Sequence, residues 1–421
     1  MQSRPVYIVG GIRTPFVKSM THYFEVSTQK LMTDTLSALV QKYGLAGKQI
    51  GDVALGGVML GSNWNLAREC VLGTNLHPDT PAYNVQRACG TSLETTWQLA
   101  LKISAGQIES AITAGVDSNS DLPIMTSQGM TRKLLELNRA RNFSDRLKTL
   151  LQFRPSDLKP DFPAVREPRT GLAMGQHCEK MVQEWQISRA DQDQLAFESH
   201  QKGAQAYKEG FYKDLVMEYQ GLKADALLRA DTSLEKLAKL KPVFDFSGVG
   251  TLTAGNSTAL TDGASAVLLA SKEECDRNGW KPLARFIDAE AAAVDFVAGE
   301  GLLMAPAIAV PRMLKRNGLK LQDFDLYEIH EAFAGQVLCT LKAWQSKEFC
   351  EKKGIGDPLG TIDRAKLNVK GGSVALGHPF GATGTRIVAT LAKALQERGG
   401  GRGLISICTA GGMGVTAIIE A

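Results

Sequence analysis

Residues 89–116 read CGTSLETTWQLALKISAGQIESAITAGV. The stretch holds Cys89, a helical pattern over 91–105, Gly106, and an apolar run over 110–114 that closes on Gly115. Residues 378–411 read HPFGATGTRIVATLAKALQERGGGRGLISICTAG, with the same parts in the same order. Here His378 stands first, 383–398 has helical spacing, Gly399, Gly400 and Gly401 break it, and 404–408 is an apolar strand. Two copies of reactive residue, helix, glycine break and strand indicate an internal duplication. The alternation continues outward. Residues 6–9, 52–59, 326–329 and 415–420 read as strands, and 29–43 and 332–344 as helices. That rhythm predicts a layered α/β fold.

The chain has 421 residues, enough for two or three domains and a large core. A net charge of +4 is too weak a bias to argue for nucleic acid. Seven cysteines are widely spaced with no CxxC pair, which fits reduced thiols in a cytosol-like compartment. The N-terminus from Met1 runs straight into a strand and leaves no room for a secretory signal. No apolar run is long enough to predict a membrane span. Residues 122–241 differ from the rest, being helical, charged and irregular. Within them, 131–159 interleaves basic residues with leucines. The plain reading is a solvated helical hairpin. The sharper one is a surface for an anionic ligand, a partner subunit or a lipid headgroup.

Four positions could carry chemistry. Cys89 precedes a helical pattern, where the helix terminus would favour a thiolate. His378 lies in a glycine-rich turn that opens a helix. His330 sits with Glu331 at a strand-to-helix junction, and a third metal ligand at sensible spacing is missing. Cys408 ends an apolar strand ahead of Gly411, Gly412, Met413 and Gly414. Each alone would pass as core or turn. Together, two cysteines and two histidines at strand ends suit acyl transfer by a cysteine nucleophile with a histidine base.

The combination resembles the thiolase family from Val6 to the end. It consists of Asn84-x4-Cys89, His330-Glu331-Ala332-Phe333, Gly377-His378-Pro379-x-Gly381-Ala382-Thr383-Gly384, and Cys408 before Gly411-Gly412-Met413-Gly414. The stretch from Thr253 to Thr258 with Asp262-Gly263-Ala264 adds a fifth match. The His-Glu-Ala-Phe form, Phe380 after His378-Pro379, Asp117-Ser118-x-Ser120 and the basic insert are similar to the β-subunit of trifunctional enzymes. Two departures stand out: Cys89 is followed by Gly90-Thr91-Ser92, and Ala410 replaces a glycine. Alanine keeps the backbone N–H that this place needs.

The resemblance implies a thiolase fold. Two similar βαβαβ-type halves would form a layered α/β/α/β/α core, with a mostly helical loop domain added. The halves would be 1–121, with final strands at 243–272, and 273–421, with the loop domain at 122–242. It implies an acyltransferase, a 3-ketoacyl-CoA thiolase of fatty acid β-oxidation. Such an enzyme cleaves 3-oxoacyl-CoA with CoA to acetyl-CoA and a shortened acyl-CoA by ping-pong chemistry. The alternative is an acetoacetyl-CoA thiolase working in the condensation direction. A non-catalytic thiolase-fold partner of a larger complex is disfavoured by the retained cysteines and histidines. The implied roles are Cys89 as acylated nucleophile, His378 as its base and an oxyanion-hole member, and Cys408 as general acid and base. His330 would hold the enolate oxygen through its ring or a water, and the N–H groups of Cys89 and Ala410 would hold the tetrahedral oxyanion. Ala254, Thr258 and Phe333 would line the pantetheine of CoA, with Arg229 and Phe244 near the adenine. The plain readings of the last two are a surface arginine and a core phenylalanine. No metal or cofactor is implied, since CoA is a substrate. A cytoplasmic homodimer or dimer of dimers is expected, with an α-subunit carrying hydratase and hydroxyacyl-CoA dehydrogenase activity, and peripheral membrane contact.

Overall fold

A computed structural model describes residues 4–61, 65–163 and 165–421, so the reading of Met1 and its two followers lies outside the described residues. The first half opens with β1 (Val6–Arg13), the short β2 (Val17–Lys18) and α1 (Thr28–Lys42). Ser27 caps α1 by accepting from the Lys30 N–H, and Leu31, Leu36 and Leu39 form its buried face. Next come β3 (Asp52–Gly56), α2 (Leu66–Leu72), β4 (Ala82–Val85), α3 (Thr91–Ser104) and β5 (Ser110–Asp117). A helical stretch follows, with α4 (Gln128–Arg139), α5 (Phe143–Leu150), α6 (Met174–Glu184), α7 (Arg189–Lys208) and α8 (Leu234–Ala238). The chain then returns to the first half as β6 (Thr261–Ala270). After α9 (Lys272–Asn278), the second half runs β7 (Ala284–Ala293), α10 (Pro306–Asn317), β8 (Leu326–Ile329), α11 (Ala334–Gln345) and α12 (Lys347–Lys352). It closes with α13 (Ser373–Leu376), α14 (Thr383–Glu397), β9 (Arg402–Thr409) and β10 (Met413–Glu420).

The strands follow the order β4-β3-β5-β6-β1-β7-β10-β9-β8. Read outward from the middle, β1-β6-β5-β3 and β7-β10-β9-β8 are the same arrangement. Each has two antiparallel pairings and then a parallel one. This is the duplication expected from the two echoing stretches. The halves join where β1 meets β7, through Val6–Phe286, Tyr7–Arg285 and Ile8–Ala284.

The helices α3 and α14 pack on each other and touch strands of both halves, so they form the central layer. On the outer faces, α1 and α2 cover the first half and α10 the second. Every residue of β6 is buried, because successive side chains go to opposite layers. Val267 and Leu269 join the central core with Leu99 and Ile387, while Leu268 and Ala270 join the outer one with Leu36 and Leu39.

Periodicity missed β7. β7 reads ARFIDAEAAA, a composition that favours helix, and pairing with β1 and β10 on either side overrides it. Within 243–272, strand is confined to Thr261–Ala270. The strand expected over 52–59 stops at Gly56, because the N–H groups of Val58 and Met59 turn to the Asp117 carboxylate. Among the described residues, no helix is long and apolar enough to cross a membrane.

Candidate active site

Between β4 and α3 the chain makes a tight turn. Ala88 takes a left-handed φ of 44°, and the Thr91 hydroxyl accepts from the Arg87 N–H at 2.7 Å. This puts Cys89 immediately before Gly90, the residue that starts α3. Gly90 lies on the ends of β9 and β10, where a Cβ would stand 2.9 Å from the Thr409 methyl. Glycine therefore lets the start of α3 reach Cys408 and Ala410. The N–H groups of Ala410 and of Cys89 itself donate to the Cys89 thiol. Burial nevertheless pushes that thiol up to about 12. The expected thiolate at the helix terminus is thus overturned: desolvation outweighs the local donors, and the resting group is a thiol. Cys89 opens on an apolar pocket of about 130 Å³ with Val58, Met59, Met174, Phe380 and Ala410 in its walls.

The two histidines arrive from opposite sides. The His378 N–H donates to Thr261 Oγ1 at 2.8 Å, and its Nδ1 lies 2.6 Å from Thr383 Oγ1. His330 follows β8; its N–H donates to the Ser406 carbonyl at 2.8 Å, and its Nδ1 lies 2.9 Å from Ser373 Oγ. The ring centroids are 4.1 Å apart. Both Nε2 atoms are buried without a hydrogen-bond partner among the described residues. Burial, with the Arg386 charge, moves His378 down to about 3. His330 falls well below its ordinary value through burial, His378 and Arg386. Both rings are therefore neutral at neutral pH. The histidine and cysteine loops meet where the Thr385 N–H donates to Ser92 Oγ at 2.9 Å, joining the starts of α14 and α3. The Phe380 ring, 5.3 Å from that of His378, lines the Cys89 pocket.

Cys408 is buried at the end of β9, opposite Gly414. Burial and the nearby Cys89 raise its thiol well above the ordinary range. Two carboxylates here escaped the sequence reading as site residues. Glu167 accepts from the Gly411 N–H at 2.7 Å and lines the Cys89 pocket. It lies in the irregular charged stretch, where no spacing marks it. Asp117 accepts from the N–H groups of Val58, Met59 and Gly381, tying the pocket wall to the His378 loop. Burial pushes it up to about 7. Its run Asp117-Ser118-x-Ser120 was visible as a motif, without a role.

The five residues expected along CoA are not all together. Ser257 bridges Phe333 and the Thr258 N–H donates to the Ala332 carbonyl, so Thr258 and Phe333 sit on paired segments, and Thr258 Oγ1 donates to the Ser373 carbonyl at 3.0 Å. Ala254 is exposed nearby in sequence. Phe244 is packed edge-on against Phe333 at 5.7 Å and against Gly175, so the core reading describes it better than an open stacking face. The open ring of that loop is Phe246, 84% exposed. Arg229 is exposed beside His200 on α7, to whose Nδ1 its N–H donates. Among the described residues, no group of three or more His, Cys, Asp or Glu is placed to hold a metal ion.

Comparison with known proteins finds relatives over the whole chain. Residues 6–273 match the family "Thiolase, N-terminal domain" and 280–421 match "Thiolase, C-terminal domain". A 3-ketoacyl-CoA thiolase of Shewanella sp. (strain W3-18-1) is 42% identical over 423 residues, covering 99% of this chain and 96% of its own. The crystal structure of human mitochondrial 3-ketoacyl-CoA thiolase superposes with a TM-score of 0.81 at 28% identity, covering 100% of both chains. The acetyl-CoA acetyltransferase of Bacillus anthracis gives the same TM-score and identity, over 100% of this chain and 99% of its own.

Proposed function

Since the chain belongs to the thiolase family, we propose that the site around Cys89 performs thiolytic cleavage of 3-oxoacyl-CoA in fatty acid degradation. The reaction is an acyl transfer. The Cys89 proton passes to Nε2 of His378, and the sulfur attacks the 3-keto carbonyl. The N–H groups of Cys89 and Ala410 hold the oxyanion that forms. The C2–C3 bond then breaks, leaving an acyl thioester on Cys89 and the enolate of acetyl-CoA. His330 holds the enolate oxygen with His378, and Cys408 protonates C2. A second CoA gives its thiol proton to Cys408, attacks the acyl thioester and leaves as the shortened acyl-CoA, while Cys89, expelled as the leaving group, takes its proton back from His378.

The observation that carries this reading is the convergence of the Ala410 N–H on the Cys89 thiol, with Cys408 beside it. A thiol raised to about 12 needs a base. Neutral His378, with an unpartnered Nε2, suits that task. Thr258 and Phe333 flank the entering pantetheine, with Ala254 nearby. Arg229 stands by the adenine, and Phe246 is a better stacking face there than Phe244. The chain works as a homodimer at least, because β4 leaves the end of the sheet open for a second copy. The compartment is cytoplasmic, and the α4–α5 hairpin docks an α-subunit carrying the preceding hydratase and dehydrogenase steps.

The test is loss of 3-oxoacyl-CoA absorbance with free CoA, over a series of chain lengths. Cleavage of substrates longer than acetoacetyl-CoA is expected; activity confined to acetoacetyl-CoA would favour the condensing enzyme. Without free CoA, an acyl mass should appear on Cys89 and vanish in Cys89→Ala. The same mass on Cys408 would reverse the two roles.

A further inference from the structure

We infer that Ser373 is a positioning residue that fixes the proton of His330, so that the two site histidines present opposite tautomers to the substrate. The inference rests on the reading of His330 as the donor to the enolate. The argument begins at Arg386, a buried residue of α14. Its Nη2 donates to Ser373 Oγ at 2.7 Å. Its Nε and Nη1 have no hydrogen-bond partner among the described residues, although Nη1 lies 3.6 Å from the Glu328 carboxylate. A guanidinium only donates, so the Ser373 oxygen must accept from it. The serine hydroxyl has one proton of its own, and its other neighbour is His330 Nδ1 at 2.9 Å. The serine oxygen has room for a second donor, yet its own proton has no other acceptor among the described residues, so the proton points at Nδ1, which then holds the lone pair. A neutral imidazole has one N–H, and here it is on Nε2, the buried atom without a protein partner.

His378 has the opposite surroundings. Its Nδ1 faces Thr383 Oγ1 at 2.6 Å, and no cation donates to that hydroxyl among the described residues. The Thr383 hydroxyl can give or take a proton at Nδ1, so it permits the Nδ1–H form that leaves Nε2 the lone pair a base needs. Two rings 4.1 Å apart thus offer one Nε2 that takes a proton and one that gives a hydrogen bond. Those are the separate needs of a base and of an enolate donor.

Ser373 also opposes a second proton on His330. An imidazolium would donate from Nδ1 to an oxygen already accepting from Arg386, stranding the serine proton beside two cations. The other charged and titratable groups facing this place are His378, Glu328 and Glu331, with Lys202 behind the carboxylates. The Glu331 carboxylate is taken up by Ser199, Asn368 and the Val374 N–H. It makes no hydrogen bond to either ring.

The experiment is nitrogen NMR of the full-length protein labelled in its six histidines, with His330→Asn identifying the His330 signals by their loss. A bare Nδ1 and a protonated Nε2 are expected on His330, unchanged between about pH 6 and about pH 8. Ser373→Ala should spread the proton over both nitrogens and lower kcat ~10- to 100-fold, with KM for CoA held within about twofold. Ser373→Thr, which keeps the hydroxyl, should return the single tautomer and most of kcat. A proton on Nδ1 in the wild-type protein overturns the inference. So does an imidazolium at about pH 6, or wild-type kcat and tautomer in Ser373→Ala. If Ser373→Ala does not fold, the wild-type spectrum decides alone. That spectrum needs no turnover, so a protein that fails to cleave 3-oxoacyl-CoA fails the proposed function separately.

Discussion

The two imidazoles share burial and neutrality, yet their replacement should not cost the same. An amide at position 330 can still donate to an oxygen, so His330→Asn should lower kcat about tenfold, below the usual loss of an oxyanion donor. An amide at 378 cannot take a proton, and His378→Asn should cost ~10³-fold or more. Steady-state rates on one 3-oxoacyl-CoA check this; equal losses would make His330 more than a donor. The thiol has its own signature. With Cys89 pushed up to about 12, the thiolate fraction grows as pH rises and stays small through neutrality. Alkylation of the free enzyme by iodoacetamide should therefore accelerate roughly tenfold per pH unit from about pH 7 to about pH 9. A plateau near neutral pH would reveal a standing thiolate–imidazolium pair. Sequence singled out Cys89, His330, His378 and Cys408 by their neighbours along the chain. It misjudged the Cys89 ionisation, because the dipole of α3 is a local property and desolvation is a tertiary one. Glu167, and the role of Asp117, stayed hidden for the same reason: their partners, Gly411 and Gly381, are remote in the chain.

Among elements, α4 is the outlier: no residue of it is buried, and α5 buries Thr149 alone. Leu135, Phe143 and Leu151 are exposed beside Arg139, Arg141 and Arg146. The hairpin is braced on itself, with Lys133 paired to Asp157 and Ser127 Oγ donating to the Asp157 carbonyl. Its basic, apolar face has no covering among the described residues, which suits docking. Reversing charge at Arg139, Arg141 and Arg146 should weaken association with an α-subunit or with anionic vesicles by about tenfold, leaving short-chain thiolysis unchanged. Pull-down and vesicle sedimentation measure it. Intact association with lost long-chain activity would make the hairpin a lid over the acyl channel. The amphipathic pattern of this hairpin was legible in sequence because it depends on local spacing. β7 was not, since its alanines say helix and only the strands beside it say otherwise.

At the scale of the whole molecule, the repeat could be read because each copy keeps its order of parts. The mirrored strand order could not, since it depends on Val6 of β1 meeting Phe286 of β7, far along the chain. One arrangement sets how the protein breathes. The helices α3 and α14 lie between strands of both halves and both start at the site. Amide exchange should be slowest over 93–103 and 387–395 and fastest over 128–150, as mass spectrometry of deuterated peptides would show. Fast exchange in the two central helices would mean that the middle layer opens locally. If it does not, the starts of both helices hold still while CoA comes and goes, and water reaches the acyl thioester by the same path, through the pocket at Cys89. The lifetime of that thioester is then a gauge of how well the acyl chain fills the pocket. Substitutions that loosen its apolar wall would surface first as slow hydrolysis of acyl groups in the absence of CoA, while the fold still looks intact.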